Sequence, residues 1–210
     1  MTGNDKNKKI CSIICGAPCN GLQKELVEGF VIAADRGLDI ALEAGITPDL
    51  VVGDFDSAKS AVPEGVECVK VSPVKDDTDA MLAADFALKY GCSELRFFCA
   101  LGGRIDHTVA NIQMLYHFKM RGISGVLFGD DTRLFLMSDE SVEIPRYDGY
   151  LSVFAYEKNV IVTENGVKYP ITNHPLTNDL PVGVSNEIVD EKAEITVHSG
   201  TALVLEVHGK

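Results

Sequence analysis

Basic charge is scarce in this sequence: 19 Lys and Arg stand against 31 Asp and Glu, a formal net charge of -12 at pH 7. Binding to a nucleic-acid backbone needs clustered Lys and Arg to replace phosphate counterions, so no nucleic-acid partner is expected. Long apolar runs are lacking too. Ile10–Cys15, behind the polar, lysine-bearing Met1–Lys9, is too short for a signal-peptide core or a membrane span. A cytoplasmic protein without a membrane partner is the expectation. No Gly-x4-Gly-Lys-Ser/Thr loop occurs, which excludes a Walker A phosphate site. Cysteine is present, but not in a metal-binding spacing. Cys11, Cys15 and Cys19 stand four apart, a pattern of neither zinc nor common iron–sulfur sites. Cys11 and Cys15 lie in an apolar run where a thiol acts as a small hydrophobe, so reduced, structural thiols are expected.

What is present suits an ordinary globular chain. The 210 residues are 46% hydrophobic and 24% charged, long enough for one large and one small domain. Short apolar runs at Ile10–Cys15, Phe30–Ala34, Leu50–Gly53, Glu67–Val71, Leu95–Leu101 and Gly125–Phe128 predict strands. Helical patterns lie between most of them. One carries Ala80, Ala84, Ala87 and Leu88 on one face, and another carries Ile105, Val109, Ile112 and Tyr116. Strand–helix alternation predicts an α/β, Rossmann-like domain over 1–135 with a largely parallel sheet covered on both faces. After about Asp130 the helical pattern stops. Leu134–Met137, Tyr150–Tyr156, Val160–Thr163, Ala193–His198 and Ala202–Val207 read as short strands, predicting a small all-β sandwich or barrel over 136–210.

Open parallel sheets bind ligands beyond the carboxyl ends of their strands, so polar residues just after apolar runs are the candidates. Asp35-Arg36-Gly37 follows one run, where Asp35 is a ligand or an ordinary helix cap. Asp54 and Asp56 follow Leu50–Gly53. In extended chain, residues two apart point the same way, so both carboxylates can meet one hard cation such as Mg²⁺. A solvated loop is the plain alternative, and such pairs also occur in glycosyltransferases and phosphatases. Asp76, Asp77 and Asp79 crowd the start of a helix, where acidic residues complement the dipole. Three carboxylates in four residues exceed that need, so one or more are expected to serve a cation. Gly102-Gly103-Arg104-Ile105-Asp106-His107 joins a strand to a helix. Its glycines allow close backbone approach, and Arg104 is a planar donor suited to phosphate.

Taken in order, Asp35-Arg36-Gly37, Pro48-Asp49-Leu50-Val51-Val52-Gly53-Asp54-Phe55-Asp56-Ser57, Asp76-Asp77-Thr78-Asp79 and Gly102 to His107 resemble thiamine pyrophosphokinase. Gly166-Val167-Lys168-Tyr169-Pro170 and Gly183-Val184-Ser185-Asn186-Glu187 are similar to that family's thiamine-binding segments. The resemblance implies an α/β catalytic domain, a β-sandwich thiamine-binding domain and a homodimer with active sites between subunits. It implies transfer of a diphosphate from ATP to thiamine with release of AMP. Asp35, Asp54, Asp56 and Asp79 are implied as Mg²⁺ ligands, and Asp54, Asp56, Asp79 and Arg104 as the catalytic set. Asp35, Asp76, Arg104 and Asp106 are implied at ATP, and Tyr169, Ser185 and Asn186 at thiamine. Two departures stand out: Arg36 replaces the second residue of an Asp-Gly-Gly motif, and Tyr169 stands where some relatives stack a tryptophan. Two other readings of the same residues are a binding regulator without turnover and a sugar-nucleotide enzyme with a two-aspartate metal site.

Overall fold

The computed structural model describes residues 8–54, 59–71 and 78–209. The chain divides into two compact units between Asp130 and Asp131. Among the described residues the first unit holds six strands: β1 (Ile10–Ile14), β2 (Phe30–Ala34), β3 (Leu50–Gly53), β4 (Glu67–Lys70), β5 (Glu94–Phe98) and β6 (Ser124–Phe128). They lie in the order β6-β5-β1-β2-β3-β4, and every pairing among them is parallel. Among the described residues three α-helices connect them, α1 (Gly37–Glu43), α2 (Asp79–Lys89) and α3 (Ile105–Lys119), with a short 3-10 turn at Lys24–Leu26 between β1 and β2.

Burial explains the composition of the strands. Val31 and Ala33, two apart in β2, face the same way and pack with Leu38 and Ala41 of α1. The opposite face meets α2, whose Ala80, Ala83, Ala84 and Ala87 are buried and small enough to bring the helix close to the sheet. A strand covered on both faces must be apolar at nearly every position, as β1 and β2 are.

The expected α3 stripe of Ile105, Val109, Ile112 and Tyr116 is not the buried one. Ile105 is 80% exposed and Val109 also faces solvent, while Asn111, Met114, Leu115 and Phe118 are buried. Both stripes have helical spacing, and tertiary packing against β6 selects the one that carries Leu115 and Phe118.

The second unit contains β7 (Thr132–Pro145), β8 (Gly149–Ala155), β9 (Val160–Asn165), β10 (Ile171–Leu176) and β11 (Lys192–His208), all paired antiparallel. Strand β11 organises it. Along one side β11 pairs with β7, and along the other first with β9 and then with β8. Two short strands were expected over Ala193–Val207, yet β11 is continuous. The register shift between Val197 and Thr201 absorbs Ser199-Gly200 as an irregularity instead of ending the strand. The β10 segment gave no apolar signal because four of its six residues are exposed, and Pro175 is tolerated on an edge strand. The fold is α/β with mixed strand pairing, parallel up to Phe128 and antiparallel from Thr132.

Candidate active site

Strand order decides where a ligand can enter the first unit. From β1 the sheet proceeds to β2, β3 and β4 on one side and to β5 and β6 on the other. Loops leaving β1 and β5 therefore diverge, opening a crevice at their carboxyl ends. A cavity of about 520 Å³ lies there, within the usual range for small-molecule sites. Gly16, Ala17 and Pro18 after β1, Asp35 and Arg36 after β2, Asp79 at the start of α2, and Gly102, Gly103 and Arg104 after β5 line it.

Local backbone chemistry brings these groups together. Asp35 has a φ of 48°, in the left-handed region that Asp tolerates better than most residues, and its N–H donates to Val52 O at 2.8 Å. Helix α1 can then begin only with glycine, because a Cβ on Gly37 would lie 1.9 Å from Ile14 O. Arg36 occupies the cap position without a side-chain cap bond. Gly53, next to Asp54, passes so near that a Cβ would lie 3.0 Å from Asp35 Cα. Asp54 thus leaves β3 beside Asp35.

At α2 the capping task falls to Thr78, whose Oγ1 accepts from Met81 N at 3.2 Å. Asp79, the first helical residue, is not the cap and lines the cavity. Across the cavity, Gly103 has a φ of 64° and packs so tightly on Pro18 that a Cβ would come within 2.8 Å of Pro18 Cδ. Arg104 follows, exposed and engaged by Asp106: Nε to Oδ1 at 3.1 Å and Nη2 to Oδ2 at 2.5 Å. That forked bond holds the Asp106 carboxyl below its ordinary pKa and the Arg104 guanidinium above its own. Asp106 therefore presets the guanidinium plane while leaving it in solvent, where a phosphate can compete for it.

The carboxylates suit a hard cation by their chemistry: Asp35, Asp54 and Asp79 all offer oxygen, the donor Mg²⁺ prefers. Among the described residues no three of Asp, Glu, His and Cys cluster tightly enough to hold a metal unaided. Water and phosphate oxygens normally complete a Mg²⁺ shell, so the set fits an ion delivered with a nucleotide. Asp56 and Asp76 lie outside the described residues.

The second unit carries a separate polar assembly. Asn186 is buried, and its side chain makes four hydrogen bonds. Oδ1 accepts from Tyr169 N at 3.1 Å and Glu187 N at 3.0 Å; Nδ2 donates to Tyr169 O at 3.1 Å and Glu164 Oε2 at 3.2 Å. This uses the full capacity of the amide. Its neighbours are displayed instead. Tyr169 is 62% exposed, and Ser185, with a φ of 58°, is exposed and held by its N–H to Ser152 Oγ at 3.0 Å. Glu164 is 2% exposed, and burial pushes its pKa up to about 7, partly opposed by the bond from Asn186.

Comparison with known proteins decides the family. The model of the thiamin pyrophosphokinase catalytic domain matches residues 25–127, and that of the thiamin pyrophosphokinase vitamin B1 binding domain matches residues 140–202. The chain belongs to the thiamine pyrophosphokinase family. The thiamine pyrophosphokinase of Bacillus subtilis (strain 168) is 28% identical over 94% of this chain and 98% of its own length. A crystal structure of the thiamine pyrophosphokinase from Bacillus subtilis superposes with a TM-score of 0.87 at 25% identity, covering 96% of this chain and all of that one. One from Geobacillus thermodenitrificans gives 0.82 at 26% identity, over 96% of this chain and 98% of its own.

Of the catalytic-domain residues singled out in the sequence, Asp35, Asp79 and Arg104 line one cavity, with Asp54 and Asp106 adjoining its walls through Gly53 and Arg104. Of the second set, Ser185 and Tyr169 are displayed and Asn186 supports them from beneath. Gly16, Ala17, Pro18 and Asn111 gave no signal of their own because none is charged. Asn111 donates to Ala100 O at 2.7 Å and so fixes the turn into Gly102. Position was the available clue: Gly16 to Pro18 directly follow β1, where a ligand loop must begin.

Proposed function

We propose that this chain transfers the diphosphate of ATP to the hydroxyl of thiamine, forming thiamine diphosphate and AMP. The observation that carries the proposal is the gathering of Asp35, Asp79 and Arg104 around one cavity at the divergence of β1 and β5, in a chain of this family. In this reading residues 1–135 form a Rossmann-like catalytic domain for ATP, and residues 136–210 a β-sandwich that binds thiamine. Asp35, Asp54, Asp56 and Asp79 hold Mg²⁺, with Asp76, Arg104 and Asp106 at the nucleotide.

The chemistry follows from charge. The thiamine hydroxyl oxygen attacks the β-phosphorus in line, the α,β-bridging oxygen departs with AMP, and the hydroxyl proton goes to solvent or a phosphate oxygen. Such transfers depend mainly on positioning and on stabilising negative oxygens. Bound Mg²⁺ supplies neutralisation of phosphate charge. Arg104 supplies a planar donor pair, oriented beforehand by Asp106, and the Gly102-Gly103 backbone lets phosphate approach closely. Tyr169 offers an aromatic face for the pyrimidine ring and Ser185 a hydroxyl beside it.

The proposal extends to a cytoplasmic homodimer whose active sites combine residues of two subunits. Exposed apolar side chains on each unit taken separately support a protein partner: Ile105, Val109 and Met120 on and just after α3, and Leu180, Val182 and Val184 before Ser185. The test is incubation with ATP, Mg²⁺ and thiamine, followed by chromatography of thiamine species. Thiamine diphosphate is expected. Binding of both ligands without product would favour a regulator, and nucleotide turnover only with a sugar phosphate would favour sugar-nucleotide chemistry.

A further inference from the structure

Cys19 and Cys99 are not isolated thiols. Cys99, just after β5, is buried with a φ of 50°, and its Sγ lies 2.7 Å from Cys19 Sγ. Cys19 is partly exposed at the far end of the loop that follows β1. Main-chain bonds fasten the loop after β1 to the Cys99 segment just before Cys19, and Asn20, just after it, is anchored to Asp130 beyond β6. Cys15 N donates to Phe98 O at 2.8 Å, Ala17 N to Cys99 O at 3.0 Å, and Asn20 binds both carboxylate oxygens of Asp130. Two sulfurs aimed at each other in a fixed frame need only a small approach to reach the roughly 2.05 Å of a disulfide. Burial, followed by the contact with Cys19, raises the Cys99 pKa and keeps that thiol protonated, so the partly exposed Cys19 is the one that meets an oxidant first.

We propose that Cys19 and Cys99 form a reversible disulfide in the wall of the nucleotide cavity, and that its formation slows the transfer reaction. The oxidant is a low-molecular-weight disulfide. The Cys19 thiolate attacks one of its sulfurs, giving a mixed disulfide and one small thiol, which carries off the proton. Cys99 then loses its proton and attacks Cys19 Sγ, releasing the second small thiol. The protein pair loses two electrons and the small disulfide gains them. The consequence for the cavity follows from what the bond joins. Cys99 and Pro18 both line it, and Pro18 packs on Gly103, immediately before Arg104. Closing the sulfurs from 2.7 Å to a covalent bond draws Cys19, and with it the adjoining Pro18, against the turn that carries Gly103, and so displaces the backbone that leads into Arg104.

The effect on turnover rests on the proposed function; the disulfide itself does not. The full-length protein is equilibrated in glutathione buffers from reducing to oxidising, quenched with N-ethylmaleimide, and mapped by peptide mass spectrometry, with thiamine diphosphate formation followed in parallel. Wild type is expected to lose alkylation at Cys19 and Cys99 together, yield their cross-linked peptide, and fall several-fold in turnover, all reversed by dithiothreitol. Cys19→Ser is expected to keep its reduced-state activity across the series. The proposal is overturned if Cys19 and Cys99 stay alkylated throughout, if the cross-link uses Cys15 or Cys92, or if wild type and Cys19→Ser lose activity alike. Absence of activity even in fully reduced wild type contradicts the proposed function, while the peptide map still judges the pair.

Discussion

The side chain of Asn186 holds both main-chain polar groups of Tyr169, accepting from its N and donating to its O at 3.1 Å each. The aromatic ring that faces solvent is thereby carried on a backbone fixed from below, and the amide's remaining donor rests on Glu164. Asn186→Ala should remove this clamp and leave buried polar atoms without partners, a loss of about 1–3 kcal/mol. Denaturant unfolding should show that loss. Steady-state kinetics should show KM for thiamine rising more than kcat falls, because the change loosens the proposed thiamine platform and leaves the cavity of the first unit intact. An unchanged KM with a reduced kcat would place Asn186 elsewhere in the mechanism.

Glu164 gives the same assembly a pH dependence. Its folded pKa, raised from 4.5 to about 7, exceeds the unfolded value. The folded state therefore binds more protons between those limits, and stability falls as pH rises through them. The full penalty, of order 3 kcal/mol, applies above the folded pKa, where the carboxylate is charged and buried. Glu164→Gln keeps an oxygen to accept from Asn186 and should be more stable than wild type at pH 8, with the difference vanishing near pH 4. Parallel denaturation curves at both pH values check this. Equal stabilities at pH 8 would mean the carboxylate is ionised there without cost.

Thr78 and Asp79 are neighbours with separable tasks. Thr78→Ala removes the α2 cap and should cost about 1 kcal/mol of stability, with a modest effect on turnover. Asp79→Asn keeps the cap and removes a cavity carboxylate, so it should lower turnover strongly and shift the Mg²⁺ concentration needed for activity, at little change in melting temperature. Asp54→Asn should behave like Asp79→Asn. If Asp79→Asn melts early and works normally when folded, the residue is structural.

Much of this was legible because the informative residues follow apolar runs. Asp35, Asp54 and Arg104 stand where an apolar run ends or a helix begins, and parallel-sheet geometry brings such groups to one edge. Buried polarity was not legible. Asn186 and Ser185 look alike in sequence, and only packing shows that one is consumed by the backbone while the other is displayed. The α3 stripes illustrate the same limit, since Ile105 and Phe118 belong to two apolar faces of equal periodicity. Cys99 gave no clue to Cys19, because a contact across 80 residues depends on β1 lying beside β5.

Subunit sharing of the site is tested by mixing chains. Asp54→Asn and Ser185→Tyr dimers should each be inactive. After subunit exchange, verified with differently tagged chains, half the dimers are mixed and half of their sites are intact, so about a quarter of wild-type activity should return. Mixed dimers as inactive as their parents would mean that each chain builds its site alone.

The central claim, diphosphate transfer in one step, is tested most directly by following the phosphorus. With ATP labelled at the β position, Mg²⁺ and thiamine, the label should appear entirely in thiamine diphosphate, with unlabelled AMP formed in equal amount. Label remaining in ADP, with thiamine monophosphate as the thiamine product, would contradict the account.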